Sequence, residues 1–232
     1  MSSKPAASRG PTGLTKLYLL AYNAASFTLW ATCTLRGFYL LATNSPADIP
    51  EIFSDIYWPL LTTTQTLAVL EILHSLLGIV RAPVTTTAMQ VASRLLLVWG
   101  IMFLFQEKGD GQGIVGAPSD ATKVGDYAFL GCLSAWGITE CIRYLFFALQ
   151  VLGAGVPGFL TWLRYNTFYV LYPLGITSEC VMVVKALKPA AELNPLYRWF
   201  LIVVLGIYVP GSYILYTHMI AQRKKALKKR TE

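Results

Sequence analysis

Charge is what this chain has least of. Only 13% of its 232 residues are Asp, Glu, Lys or Arg, against 55% hydrophobic, and mean hydropathy is +0.52. Soluble domains carry about a quarter charged residues, so one soluble domain of this composition would expose too much apolar surface to stay dispersed. The four cysteines, Cys33, Cys132, Cys141 and Cys180, form no CxxC pair and no Cys/His cluster. Thiols of this kind behave as small buried hydrophobes, and neither a disulfide nor a metal site is expected. The polar first residues contain no apolar core, so no cleavable signal peptide is expected, and no repeat of solenoid length is present.

What charge there is lies unevenly. The net charge is +7, and the end "QRKKALKKRTE" holds six of the 19 Lys and Arg residues, while Lys4, Arg9 and Lys16 mark the other end. Beside hydrophobic segments, such basic ends mark cytoplasmic placement and attraction to anionic lipid. A role in binding nucleic acid is the weaker reading.

Apolar stretches of about 20 residues span a ~30 Å hydrocarbon core as helix. Six are read here, at 14–35, 57–80, 84–106, 127–150, 158–185 and 198–220. The expected architecture is an all-α bundle of six transmembrane helices with both termini cytoplasmic. A flexible cytoplasmic segment 1–13 precedes the six-helix transmembrane domain 14–220, and a basic cytoplasmic tail 221–232 follows it. Pro83 in "RAPV" breaks the second span from the third, and "VLGAGVPG" separates the fourth from the fifth. Loops are expected at 37–56, at 107–126, where the charges and glycines predict solvation, and at "KPAAELNP".

Against this apolar background, polar side chains inside the spans stand out. A charge at mid-bilayer costs about 2.5–3.5 kcal/mol on insertion scales, so such residues face the bundle interior, pair, and point to function. Glu71/His74, Gln90/Arg94 and Glu140/Arg143/Tyr144 sit at i+3 or i+4, each group on one helix face. Tyr165, Tyr172 and Glu179 recur every seven residues along the fifth span. With cytoplasmic termini, the expected layout is a polar funnel open to the cytosol and closing on Tyr172 and Glu179. Glu140, Arg143, Glu71 and His74 are read as structural polar pairs. Arg94 and Arg164 either bind substrate or pair with acids, and Gln90, Tyr165 and Gly175 are further candidates for substrate contact.

Two short motifs have bland readings. "HSLLGIVR" is spaced like a tyrosine-phosphatase signature, but Ser75 replaces the thiolate nucleophile and the stretch is expected to be membrane helix. The end Lys228-Lys229-Arg230-Thr231-Glu232 looks like a dilysine retrieval signal with Arg230 where lysine is expected, and a lipid-contacting tail accounts for it equally well.

"LRYNTFYVLYPLGITSE", Leu163 to Glu179, is more specific. A span carrying Arg164, Tyr172, Pro173, Gly175 and Glu179 is a poor choice for inert lipid-facing helix: proline removes a hydrogen bond, and glycine admits close approach. Together with "LEILHSLLGIVRAPV", "QVASRLLLVWGI", "WGITECIRYLFF" and "YVPGSYILYTHMIAQRKKAL", it resembles the very-long-chain (3R)-3-hydroxyacyl-CoA dehydratases, the protein tyrosine phosphatase-like membrane family that includes the plant PASTICCINO protein. The resemblance runs from about residue 14 to 228. It implies removal of water from 3-hydroxyacyl-CoA to give trans-2-enoyl-CoA, the third step of fatty-acid elongation, in the endoplasmic-reticulum membrane with access from the cytosol. It places the catalytic tyrosine on Tyr172 and the catalytic glutamate on Glu179. It implies no cofactor beyond the CoA that the substrate carries, and partnership with the condensing enzyme and the ketoacyl and enoyl reductases.

The chemistry needs one base for the C2 proton and one acid for the C3 hydroxyl. Glu179 as base with Tyr172 as acid is the preferred assignment, and the reverse stays open. Seven residues of ideal helix rise about 10.5 Å, so either "YPLG" is unwound or one group acts through water. The rival readings are a small transporter, which the missing repeat disfavours, and a non-catalytic scaffold, which Tyr172 and Glu179 disfavour.

Overall fold

The computed structural model describes residues 11–118 and 121–231, with side chains to residue 226. Lys4, Arg9, Asp120 and the side chains of Lys228, Lys229 and Arg230 therefore lie outside the described residues. Within them the regular structure is all helix, joined by turns and loops, apart from one isolated bridge between Gln106 and Val115.

The first helix, α1 (Gly13–Thr43), leads through a short turn at Pro46–Asp48 to α2 (Ile49–Ile56). A π-helical stretch, Tyr57–Leu61, then joins α3 (Thr62–Leu67) and α4 (Val69–Leu76). Next come α5 (Val84–Leu95), a second π-helical stretch Leu96–Met102, and α6 (Phe103–Phe105). The second half holds α7 (Val124–Leu152), α8 (Gly158–Asn166), α9 (Phe168–Leu193) and α10 (Pro195–Thr231).

Among the described residues, four stretches are long and apolar enough to cross a membrane: Val84–Phe105, Val124–Leu152, Phe168–Leu193 and Pro195–Ala226. They correspond to the third to sixth spans read from the sequence. The first expected span lies in α1, whose 31 residues include Asn23, Thr28, Thr32 and Arg36. The second is not one helix but the π-helical stretch followed by α3 and α4.

Helix α7 forms the centre, with α1 on one side and α9 on the other, and α10 packs on α9. Small residues set these approaches. A Cβ on Gly137 would lie 2.0 Å from Thr34 Oγ1 on α1, and one on Gly131 would lie 2.1 Å from Ser178 Oγ on α9. Small residues are the usual means of helix contact where lipid supplies no hydrophobic drive. By contrast, Trp199, Phe200, Val203, Ile207 and Ile214 on α10 are exposed, an apolar face suited to lipid.

Three connections differ from expectation. The 107–126 loop is not simply solvated, since Glu107 and Asp126 are buried. Glu107 Oε1 accepts the N–H groups of Lys108, Gly109 and Gly111, and its Oε2 pairs with Lys123. These bonds hold the Glu107 carboxyl down at about 2, the Lys123 ammonium being the largest cause. "KPAAELNP" is no loop: α9 runs through Pro189 to Leu193, and Asn194 alone separates it from α10. The 37–56 segment is largely helix, closed by an ion pair between Arg36 and Asp55. The C-terminal tail also extends α10 as helix to Thr231.

Candidate active site

Tyr172 and Glu179 both lie on α9, which continues as helix past Pro173, so of the two alternatives an unwound "YPLG" is not what the structure has. Their backbones are therefore separated by the ~10.5 Å rise of seven helical residues, and their side chains do not hydrogen-bond to each other.

Both groups face α10. The Tyr172 hydroxyl donates to the Ser212 carbonyl at 3.0 Å, and its ring stacks on Tyr216 with centroids 5.8 Å apart. The buried Glu179 carboxylate accepts a bond on each oxygen: from Trp136 Nε1 on α7 at 2.8 Å and from the Tyr208 hydroxyl on α10 at 2.8 Å. A phenol set as donor and a carboxylate set as acceptor thus share one seam. That is the pairing acid–base chemistry uses.

An ion network adjoins this seam. Arg143 grips Glu71 with two bonds, 3.0 and 2.6 Å, and donates a third through Nε to Glu140 at 2.6 Å. Arg94 pairs with Glu140 at 2.5 Å, and the Tyr144 hydroxyl reaches Glu71 at 2.5 Å. The Arg94 guanidinium also sits 5.5 Å from the Trp136 ring centroid, which links the network to Glu179. Arg143 thus bonds to both Glu71 and Glu140, and Arg94 bonds to Glu140. Glu140 is buried within this network, while the Arg94 and Arg143 side chains stay 23% and 26% exposed.

The remaining candidates are dispersed. His74 is not paired with Glu71; its Nε2 lies 2.7 Å from the Tyr18 hydroxyl. Gln90 is exposed, a correction to its expected interior position. Arg164 has no acid within ion-pair distance among the described residues and lies over Phe146 and Phe147, 4.5 Å from each ring centroid. Tyr165 is half-buried beside it. Gly175 brings α9 against Ala135 of α7. Two surface grooves, one around Lys188 and Arg198 and one between Trp58 and Trp99, touch neither Tyr172 nor Glu179.

Trp136, Tyr208, Ser212 and Tyr216 were missed. The signal was present for α10: Tyr208, Ser212 and Tyr216 recur every four residues and share one face. For Trp136 the same spacing leads to Glu140.

Residues 65–229 match the family described as "Protein tyrosine phosphatase-like protein, PTPLA". A "Probable very-long-chain (3R)-3-hydroxyacyl-CoA dehydratase" of Schizosaccharomyces pombe is 40% identical over 212 residues, 91% of this chain and 93% of the relative. The rice "Very-long-chain (3R)-3-hydroxyacyl-CoA dehydratase PASTICCINO 2A" is 38% identical, with 92% and 94% covered. The Caenorhabditis elegans protein "Very-long-chain (3R)-3-hydroxyacyl-CoA dehydratase hpo-8" is 36% identical, with 90% and 94% covered. No solved structure matches. With most of its length aligned in this way, the chain belongs to the protein tyrosine phosphatase-like family.

Proposed function

We propose that this protein is a very-long-chain (3R)-3-hydroxyacyl-CoA dehydratase in which Glu179 and Tyr172 perform the elimination. The observation that carries the reading is near full-length identity of 36–40% to relatives bearing that name. The α9–α10 seam supplies the chemistry. Glu179 takes the C2 proton, acidified by the thioester. The C2 electron pair closes the C2–C3 double bond as the C3–O bond breaks, and the Tyr172 phenol, acting through a water because α9 runs unbroken between the two groups, protonates the departing oxygen, which leaves as water. Support for this order of roles comes from the hydrogen bonds: Tyr172 is a donor, and Glu179 accepts on both oxygens. One acid and one base suffice, so the reading includes no cofactor beyond the CoA of the substrate.

The same reading places six crossings in the endoplasmic-reticulum membrane, both termini and the substrate entrance on the cytosolic side, and the other elongation enzymes as partners. Four long apolar helices and the 31 residues of α1 support a multi-pass membrane protein, and the basic tail supports the cytosolic side. The test is turnover of a 3-hydroxyacyl-CoA by protein purified in detergent. Tyr172→Phe and Glu179→Gln are each expected to lower kcat by about 10²–10⁴-fold. Wild-type turnover by either variant removes that residue from the mechanism, and an inactive wild type overturns the dehydratase reading.

A further inference from the structure

The Tyr208 hydroxyl lies 2.8 Å from Glu179 Oε2, whereas the other phenol on this seam, Tyr172, is engaged with a backbone carbonyl. A carboxylate on its own rotates freely about its last torsion, which has broad minima. Glu179 does not have that freedom. Trp136 from α7 holds Oε1 and Tyr208 from α10 holds Oε2, so donors on two separate helices fix the plane of the group. Each carboxylate oxygen has a second acceptor site, so both bonds leave room for a proton from substrate.

From this geometry we infer that Tyr208 is the positioning residue of Glu179, setting the direction in which the carboxylate presents its free lone pairs. The inference rests on the dehydratase reading. Helix α10 is suited to the task because it meets both groups: Tyr208 holds Glu179, the Ser212 backbone carbonyl accepts the hydrogen bond of the Tyr172 hydroxyl, and Tyr216 stacks on the Tyr172 ring. One helix thereby contacts both groups, which α9 separates by about seven residues of rise. Trp136 is steadied in turn by the Arg94 guanidinium over its ring.

The bland reading is that Tyr208 merely satisfies a buried acid, in which case its loss lowers stability and leaves the folded enzyme's turnover intact. The experiment compares full-length wild type, Tyr208→Phe, Glu179→Gln and, as a control on an exposed face of the same helix, Tyr213→Phe. Tyr208→Phe is expected to lower kcat by about 10- to 100-fold, the scale of a lost hydrogen bond to a charged group, with KM within about twofold of wild type; Tyr213→Phe is unchanged. In difference infrared spectra, the carboxyl band that Glu179→Gln removes is expected to shift in Tyr208→Phe and not in Tyr213→Phe. If Tyr208→Phe does not fold, Tyr208→Met, which fills the space without a donor, takes its place. Wild-type kcat in the Tyr208 variant, or a rise in KM alone, overturns the inference while an inactive Glu179→Gln leaves the parent reading standing. Full turnover by Glu179→Gln overturns both.

Discussion

Arg143 makes three charge-assisted hydrogen bonds to two acids on different helices, Glu71 and Glu140. Removing it leaves both acids short of a partner in an interior where an uncompensated charge costs about 3–5 kcal/mol. Arg143→Met is therefore expected to lower stability by that amount, read as a fall in unfolding temperature in detergent. Glu71→Leu added to it should recover part of the loss, since one stranded acid is then gone. At this scale the sequence showed which residues belonged to the interior, because Glu140/Arg143 sits at helical spacing in an apolar stretch. It did not show the partners. Glu71 lies 72 residues from Arg143, and Glu140 lies 46 from Arg94, separations that no local period encodes. Gln90 illustrates the converse: its spacing to Arg94 was right for a shared face, but the face turns outward at that position.

Among the connecting elements, the segment 106–116 behaves as a built structure rather than a tether. Its anchor is Glu107, whose two oxygens collect three backbone N–H groups and the Lys123 ammonium. Lys123 in turn donates to the Gly113 carbonyl at 2.7 Å. The folded carboxyl is held at about 2 from an ordinary value of 4.5. A depressed carboxyl contributes its stability above the unfolded value and loses it as pH falls toward the folded one. Hydrogen exchange of residues 107–116, corrected for intrinsic rate, should thus be flat from pH 7 to about 5 and rise between 4.5 and about 2. Glu107→Gln should exchange fast throughout, and a slow, pH-independent segment in that variant would remove Glu107 as the anchor. Acidic and glycine residues made this stretch look solvated because composition cannot say that one carboxylate folds the backbone around itself. The α9–α10 junction was misread for a related reason. "KPAAELNP" has loop-like prolines, yet Ala and Leu favour helix, and the real stop is Asn194 in extended conformation before Pro195.

For the whole molecule, four crossings and six differ in whether α1 crosses. Four helices qualify by length and composition, and α1 is the element in question. Its beginning is fixed to one end of the bundle, where Lys16 Nζ donates to the Leu152 carbonyl at the close of α7. Its far end leads to the opposite side: the Thr122 hydroxyl donates to the Pro46 carbonyl, and the Ala117 N–H donates to Ser54. Helix α1 therefore runs the full length of α7 and antiparallel to it, and its 31 residues rise about 46 Å, more than a ~30 Å hydrocarbon core requires. Its polar residues explain why hydropathy undervalues it. Asn23, Thr28, Thr32 and Thr34 each return a side-chain bond to a carbonyl four residues back, which satisfies them within the helix. Single cysteines in a cysteine-free background of sealed microsomes test the consequence. Ala154→Cys, beside the Lys16 end, should react with a membrane-impermeant maleimide in intact vesicles. Ala47→Cys and Asp110→Cys, at the opposite end, should react only after permeabilisation. If Ala47→Cys labels in intact vesicles while Asp110→Cys stays protected, α1 does not cross and the bundle has four spans. If all three label alike, the two ends share a compartment and a seam entered from one side of a bilayer has no basis.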